Sequence, residues 1–230
     1  MRNELTYSGT AVHPDFGPVE YAAIPLSDDP DTQVAQTIAM MRRHVIEDAE
    51  SEPIRRVAAG LQAAAGLSGE PADPVADSFY WVKDRLQFQQ DEDTAEPLRP
   101  LVTDPEFQAF VEMLIRPRDL VQMPDAREDC DGYATLLPTL LRAQGIPCSF
   151  VTVAADDHEP GRFSHVYAAC YPGGRRIALD SSHGPYPGWD SVDTGQVTRM
   201  KEWPIDGPSW GELLLIGLAL FAAAWVWRIF

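Results

Sequence analysis

Three cysteines and five histidines hold most of this chain's capacity for nucleophilic and proton-transfer chemistry, and few of them sit where chemistry could use them. Cys130 stands in EDCDGYATLLPTLL, where an apolar stripe at helical spacing (Tyr133, Ala134, Leu137, Leu141) begins. A helix N-terminus offers partial positive charge and unpaired N–H groups, which stabilise a thiolate. Such a nucleophile needs a base and a group that orients the base. Of His13, His44, His158, His165 and His183, only His165 falls within a strand-like run, FSHVYAAC, whose alternation puts His165, Tyr167 and Ala169 on one face. Asp180 ends the next such run, RRIALD, placed to accept the second ring N–H of a neighbouring histidine. Together the three residues make a candidate Cys-His-Asp triad for acyl transfer. Singly, a lone cysteine is usually packing and a lone strand histidine a hydrogen-bonded core or surface residue. Order and local context carry the reading.

The elements that must position these residues follow from periodicity and punctuation. Residues 1–31, rich in Pro, Asp and Gly, suggest an extended arm or small hairpin. Val34, Ile38, Met41 and Val45 predict a helix from Thr32 to Ala49, Pro53 to Ala65 a second, and Pro74 opens a third carrying Phe79, Val82 and Leu86. Residues 91–103 are acidic and proline-bearing, hence loop. Asp104 is placed to cap a short helix, EFQAFVEMLI, that stops before Pro117. After the Cys helix come IPCSFVTVAA, FSHVYAACYP and RRIALDSS, three strand-like runs whose connections suit antiparallel pairing. The fold class is α+β. The expected organisation is the arm (1–31), a helical region (32–117), a core (118–195), a linker (196–209) and an apolar C-terminal helix (210–230).

Bulk charge narrows the partners. With 18 Lys and Arg against 35 Asp and Glu the net charge is −17, which repels phosphate backbones and argues against nucleic acid. The first residues lack the apolar run of a secretory signal, and the cysteines form no CxxC pair, so synthesis in a reducing cytoplasm with free thiols is expected. Cys148 and Cys170 are expected to be reduced packing residues. The run LLLIGLALFAAAWVW (213–227) would reach about 22 Å as a helix, short of a hydrocarbon core of about 30 Å; counted from Trp210 to Phe230 it would just span. It therefore points to a membrane anchor, with burial between neighbouring subunits as the other option.

EDCDGYATLLPTLLRAQGIPCSFVTV, FSHVYAACY and RRIALDSS resemble the three signature blocks of transglutaminase-like cysteine enzymes of the papain-like superfamily. Over roughly residues 32–190 the chain is similar to the members encoded by tailed bacteriophages and prophages, including a closing motif like GPYPGWD. The resemblance implies a papain/transglutaminase-like core, a Cys-bearing helix packed on an antiparallel sheet, with N-terminal helices. It implies Cys130 as nucleophile, His165 as general base and Asp180 as the residue orienting it. Gln122, just upstream, is a candidate oxyanion-side donor, though an ordinary loop amide is the simpler reading. Three features depart from the family pattern: Glu128 where glycine is usual two residues before the cysteine, Pro138 inside the Cys helix, and acids flanking the thiol.

The function expected is attack on an amide of a protein or peptide substrate through an acyl-enzyme, with hydrolysis favoured over amine transfer and no cofactor. Synthesis in a host cytoplasm followed by virion or membrane association fits the phage-like resemblance. The rival is a non-catalytic structural or membrane-attached phage virion component that keeps the fold. Cys130, His165, Asp180 and His183 could in principle ligate zinc, but they lack the short ligand spacing of a structural site, and no metal site is expected. Tyr186 and Trp189 are placed to wall a cleft, or simply to pack.

Overall fold

Asp29 begins the first helix, accepting the N–H of Thr32 at 2.9 Å, and Pro30 occupies the first turn. This helix, α1 (Pro30–Asp48), buries Ile38, Met41 and Val45, the apolar stripe expected of it. After α2 (Glu52–Ser68), Asp73 caps α3 (Pro74–Arg85) through the N–H groups of Val75 and Ala76. A single turn, α4, covers Pro117–Leu120, and α5 spans Cys130–Ala143. The computed structural model describes residues 7–13, 17–25, 27, 29–68, 72–89 and 111–206. The acidic loop and the apolar C-terminal segment 210–230 lie outside the described residues.

The core is α+β. Strands β6 (Cys148–Ala154), β7 (His165–Cys170), β8 (Ile177–Leu179) and β9 (Arg199–Pro204) form an antiparallel sheet in the order β8-β7-β6-β9. On one face Phe150, Val166, Ala168 and Cys170 join the leucines of α5 in the main core. On the other, Val151, Val153, Tyr167, Ala169 and Ala178 form a smaller cluster. Helices α1, α2 and α3 also contact α5, so every residue from Asp131 to Leu141 is buried. Pro138 does not interrupt the helix, although it removes one backbone donor. Cys148 and Cys170 face each other across β6 and β7 as free, buried thiols.

Two expectations need correction. Residues 111–115 are not helical: they form β4 (Val111–Ile115), antiparallel to β2 (Gly17–Pro25), which pairs in turn with β1 (Tyr7–His13). The N-terminal segment thus is a hairpin, and its open edge supplies the hydrogen bonds that make VEMLI a strand. So short a segment has little helical stability of its own. The Asp104 cap proposed for it lies outside the described residues. Second, β9 falls in the span read as a linker; RMKEWP is a mostly exposed edge strand ending in proline, without an apolar pattern to announce it.

One charged cluster ties helix to loop. Asp48 is fully buried at the end of α1 and accepts from Arg116 Nε at 3.1 Å and from the N–H of Arg118 at 3.2 Å, with a second Arg116 contact from Nη2. One turn earlier His44 is 1% exposed, and burial, helped by the Arg116 charge, pushes its imidazole down to about 4. Unfolded His44 takes up a proton near pH 6.5. Between those values the unfolded state binds more protons, so stability falls on acidification. The contribution is full above about pH 6.5 and is lost towards pH 4, a difference of about 2–3 kcal/mol. Urea titrations at pH 7.5 and 4.5 should show that difference between wild type and His44→Gln.

Candidate active site

Cys130 is the first residue of α5, and the chain before it is held in place. The short strands β3 (Gln87–Phe88) and β5 (Arg127–Glu128) pair in parallel, with Gln87 N–H donating to Ala126 at 2.9 Å and Gln89 N–H to Glu128 at 3.1 Å. Asp129 then caps the helix by accepting the N–H of Asp131 at 3.0 Å. The half-buried thiol stands at a true helix N-terminus.

The glycine usual at position 128 is not required by the backbone here. Among the described residues only Asp125 is a non-glycine with positive φ, at 52°. Glu128 is instead buried with its side chain against Gly132. A Cβ at 132 would lie 2.5 Å from Glu128 Cβ and 2.6 Å from its Cγ. Gly132→Ala should therefore destabilise the fold by about 1–3 kcal/mol despite the better helix propensity of alanine. The Glu128→Gly/Gly132→Ala double variant should recover most of that loss in urea titration.

His165 opens β7, and Asp180 follows directly on β8. The register Ala169↔Ala178, continued one pair of residues along, sets Asp180 opposite Tyr167 and on the face of His165. His165 Nε2 and Asp180 Oδ2 are 2.8 Å apart. Asp180, 1% exposed, also accepts from Ser182 Oγ at 2.9 Å and from His183 N–H at 3.0 Å. Burial alone would raise its carboxyl, but these hydrogen bonds and the facing imidazole prevail and hold it below the usual carboxylate range. Asp180 therefore remains an anion and fixes the imidazole, leaving Nδ1 as the nitrogen able to exchange a proton elsewhere.

The turn after Asp180 depends on Gly184. Its N–H donates to the Asp180 carbonyl at 2.7 Å, and a Cβ there would meet that oxygen at 2.6 Å. Lys83 Nζ on α3 donates to the Gly184 carbonyl at 3.0 Å, tying the turn to the helical layer. His183 is carried beside the site, its ring edge-on to His165 with centroids 4.7 Å apart and to Phe88 at 5.1 Å. Burial and the His165 ring lower the His183 pKa.

Cys130, His165 and Asp180 line one cavity of about 800 Å³. Asp129, Asp131 and Asp156 add acidic lining, and among the described residues no Lys or Arg contributes. The wall from α1 is Val34, Thr37, Ile38 and Met41, with Trp189 also lining the cavity. From the sequence, Val34, Ile38 and Met41 mark only a helix, and nothing singles out Thr37. Their helical spacing signals one buried face but cannot tell a core from a cleft wall. Trp189 lines the cavity and Tyr186, which is exposed, does not. Gln122 is not brought to the group: it is exposed, and its amide donates to the Arg118 carbonyl at 2.8 Å. Of the four residues weighed for a metal, His165, Asp180 and His183 each bring one donor atom within 4.8 Å of the others.

The family model of the transglutaminase-like superfamily matches residues 61–194, which include all three residues of the candidate triad. No curated protein sequence matches the chain. Among solved structures, one from Cytophaga hutchinsonii, described as a candidate cysteine protease, is 16% identical with a TM-score of 0.36. The likeness covers 83% of this chain and 65% of that one, so the chain spans less than two thirds of that protein's length. Among the described residues, no helix is long and apolar enough to cross a membrane.

Proposed function

This chain belongs to the transglutaminase-like superfamily, and from that premise we propose that it is a cysteine enzyme that cleaves an amide bond through an acyl-enzyme. The observation that carries the proposal is the 2.8 Å contact between His165 Nε2 and the buried Asp180 carboxylate, in the cavity that Cys130 also lines. In the proposed cycle the Cys130 thiolate attacks the substrate carbonyl, forming the S–C bond. His165 delivers a proton to the leaving nitrogen as the C–N bond breaks. His165 then takes a proton from water as its oxygen attacks the thioester, and the S–C bond breaks to release the acid. Asp180 orients the imidazole and stabilises its protonated form without accepting the proton.

Water is proposed as the acceptor because it needs no site beyond the cavity that Cys130 and His165 already line. On the resemblance of its sequence blocks to phage-encoded members we extend the proposal to a substrate within a phage particle or its host, with residues 210–230 as the attachment segment. Turnover of a peptide p-nitroanilide library, with and without a primary amine, tests the acceptor. Release of the free acid at undiminished yield supports hydrolysis. Dominant amide product at millimolar amine would make the enzyme a transferase.

A further inference from the structure

We propose that His165, Asp180 and His183 form a binding site for a transition-metal dication of the zinc class, and that its occupancy holds the enzyme inactive. One donor atom from each residue lies within 4.8 Å of the other two. Ligands sharing a zinc ion bind at about 2.0–2.2 Å, so their atoms stand roughly 3–3.5 Å apart. The widest separation must close by up to roughly 1.3–1.8 Å, and His183, 54% exposed, has the freedom to make that adjustment. Its Nδ1 lies 4.0 Å from Asp180 Oδ1 and 2.9 Å from Ser182 Oγ, so the ring already stands against the carboxylate that would share the ion.

Two imidazole nitrogens and one carboxylate oxygen suit zinc and its neighbours, whereas magnesium and calcium take all-oxygen shells. Asp180 is 1% exposed and brings the anionic charge that a dication needs. All three residues line the cavity. Strand pairing rather than sequence proximity brings His165 to the other two, which is why ligand spacing did not reveal the set.

The consequence for catalysis rests on the proposed function. Asp180 Oδ2 now meets His165 Nε2 at 2.8 Å, and an ion shared by the two residues replaces that hydrogen bond. A metal-bound imidazole cannot shuttle a proton with Cys130. His183 exchanges no proton in the proposed acyl transfer but packs edge-on against His165, so inhibition by metal is read relative to each protein's own metal-free rate.

The test is competition between the full-length protein and a chromogenic chelator for Zn²⁺, with Co²⁺ absorption as the second readout. Wild type should bind one Zn²⁺ per chain, unaffected by millimolar Mg²⁺, and give a Co²⁺ ligand-field band. His183→Ala should bind at least tenfold more weakly and lose the band. His158→Ala, a control at an exposed histidine outside the cavity, should match wild type. Absence of stoichiometric binding, or any smaller loss in His183→Ala, overturns the site. In turnover assays Zn²⁺ should inhibit wild type, and His183→Ala should need at least tenfold more metal; equal sensitivity overturns the inhibitory role. If the metal-free chain shows no turnover on any substrate, the proposed function fails, while the binding curves still decide the site.

Discussion

Cys130→Ala is expected to lower turnover of any amide or ester substrate by about 10,000-fold or more, the scale on which removing a nucleophile acts when the remaining groups have no covalent route. The side chain is small and half-buried in the cavity lining, so the fold should survive with little change in Tm. Loss of activity with an unchanged melting curve separates a chemical role from a packing role. Substitution of Cys148 provides the contrast. Its thiol is buried and burial pushes its pKa far up, so it stays protonated. Cys148→Ala should therefore cost stability through the lost packing while leaving turnover per folded molecule unchanged. Should Cys130→Ala retain more than a tenth of wild-type turnover, the covalent mechanism fails.

Asp180→Asn should reduce kcat by about 100- to 1,000-fold with a smaller change in KM. The shape is nearly preserved, but the charge facing the protonated imidazole is gone. The amide can also present N–H to His165 Nε2, leaving the ring proton on Nδ1, where the thiol proton should be received. Because the hydrogen bonds around Asp180 hold its pKa below the ordinary carboxylate value, its charge persists in mild acid. An acid limb in the wild-type pH profile must then belong to another group and should survive in Asp180→Asn. Kinetics from pH 5 to 9 on both proteins check this, and a variant with wild-type kcat would remove Asp180 from the orienting role.

The parts of the molecule legible in the sequence are those with local signals. Pro74 announces the start of α3, which Asp73 caps, whereas α1 begins at Pro30 behind the Asp29 cap, two residues before the Thr32 start read from its apolar stripe. The alternation in FSHVYAAC and RRIALD gave strand, face and partner together, so the His165–Asp180 pairing followed once the strands were taken as neighbours. Features that depend on distant partners were hidden. VEMLI became a strand because β2 offers an edge almost ninety residues earlier in the chain, and RMKEWP because β6 does. Gln122 stood near Cys130 in sequence, but the turn of α4 directs its amide back to Arg118. Glu128 looked like a missing glycine, and the compensation is Gly132, visible only when the two side-chain positions are superimposed in space.

The central claim is that Cys130 is an activated thiol paired with His165. Its most direct measurement is the rate of iodoacetamide labelling at Cys130, followed by peptide mass spectrometry from pH 4 to 10, in wild type and in His165→Ala. An ordinary thiol titrates near 8.5. The account predicts labelling in wild type that persists well below that value, and a return of the midpoint towards 8.5 or above in His165→Ala, where only the helix terminus remains against the flanking acids. Coincident profiles with an ordinary midpoint in both proteins would contradict it.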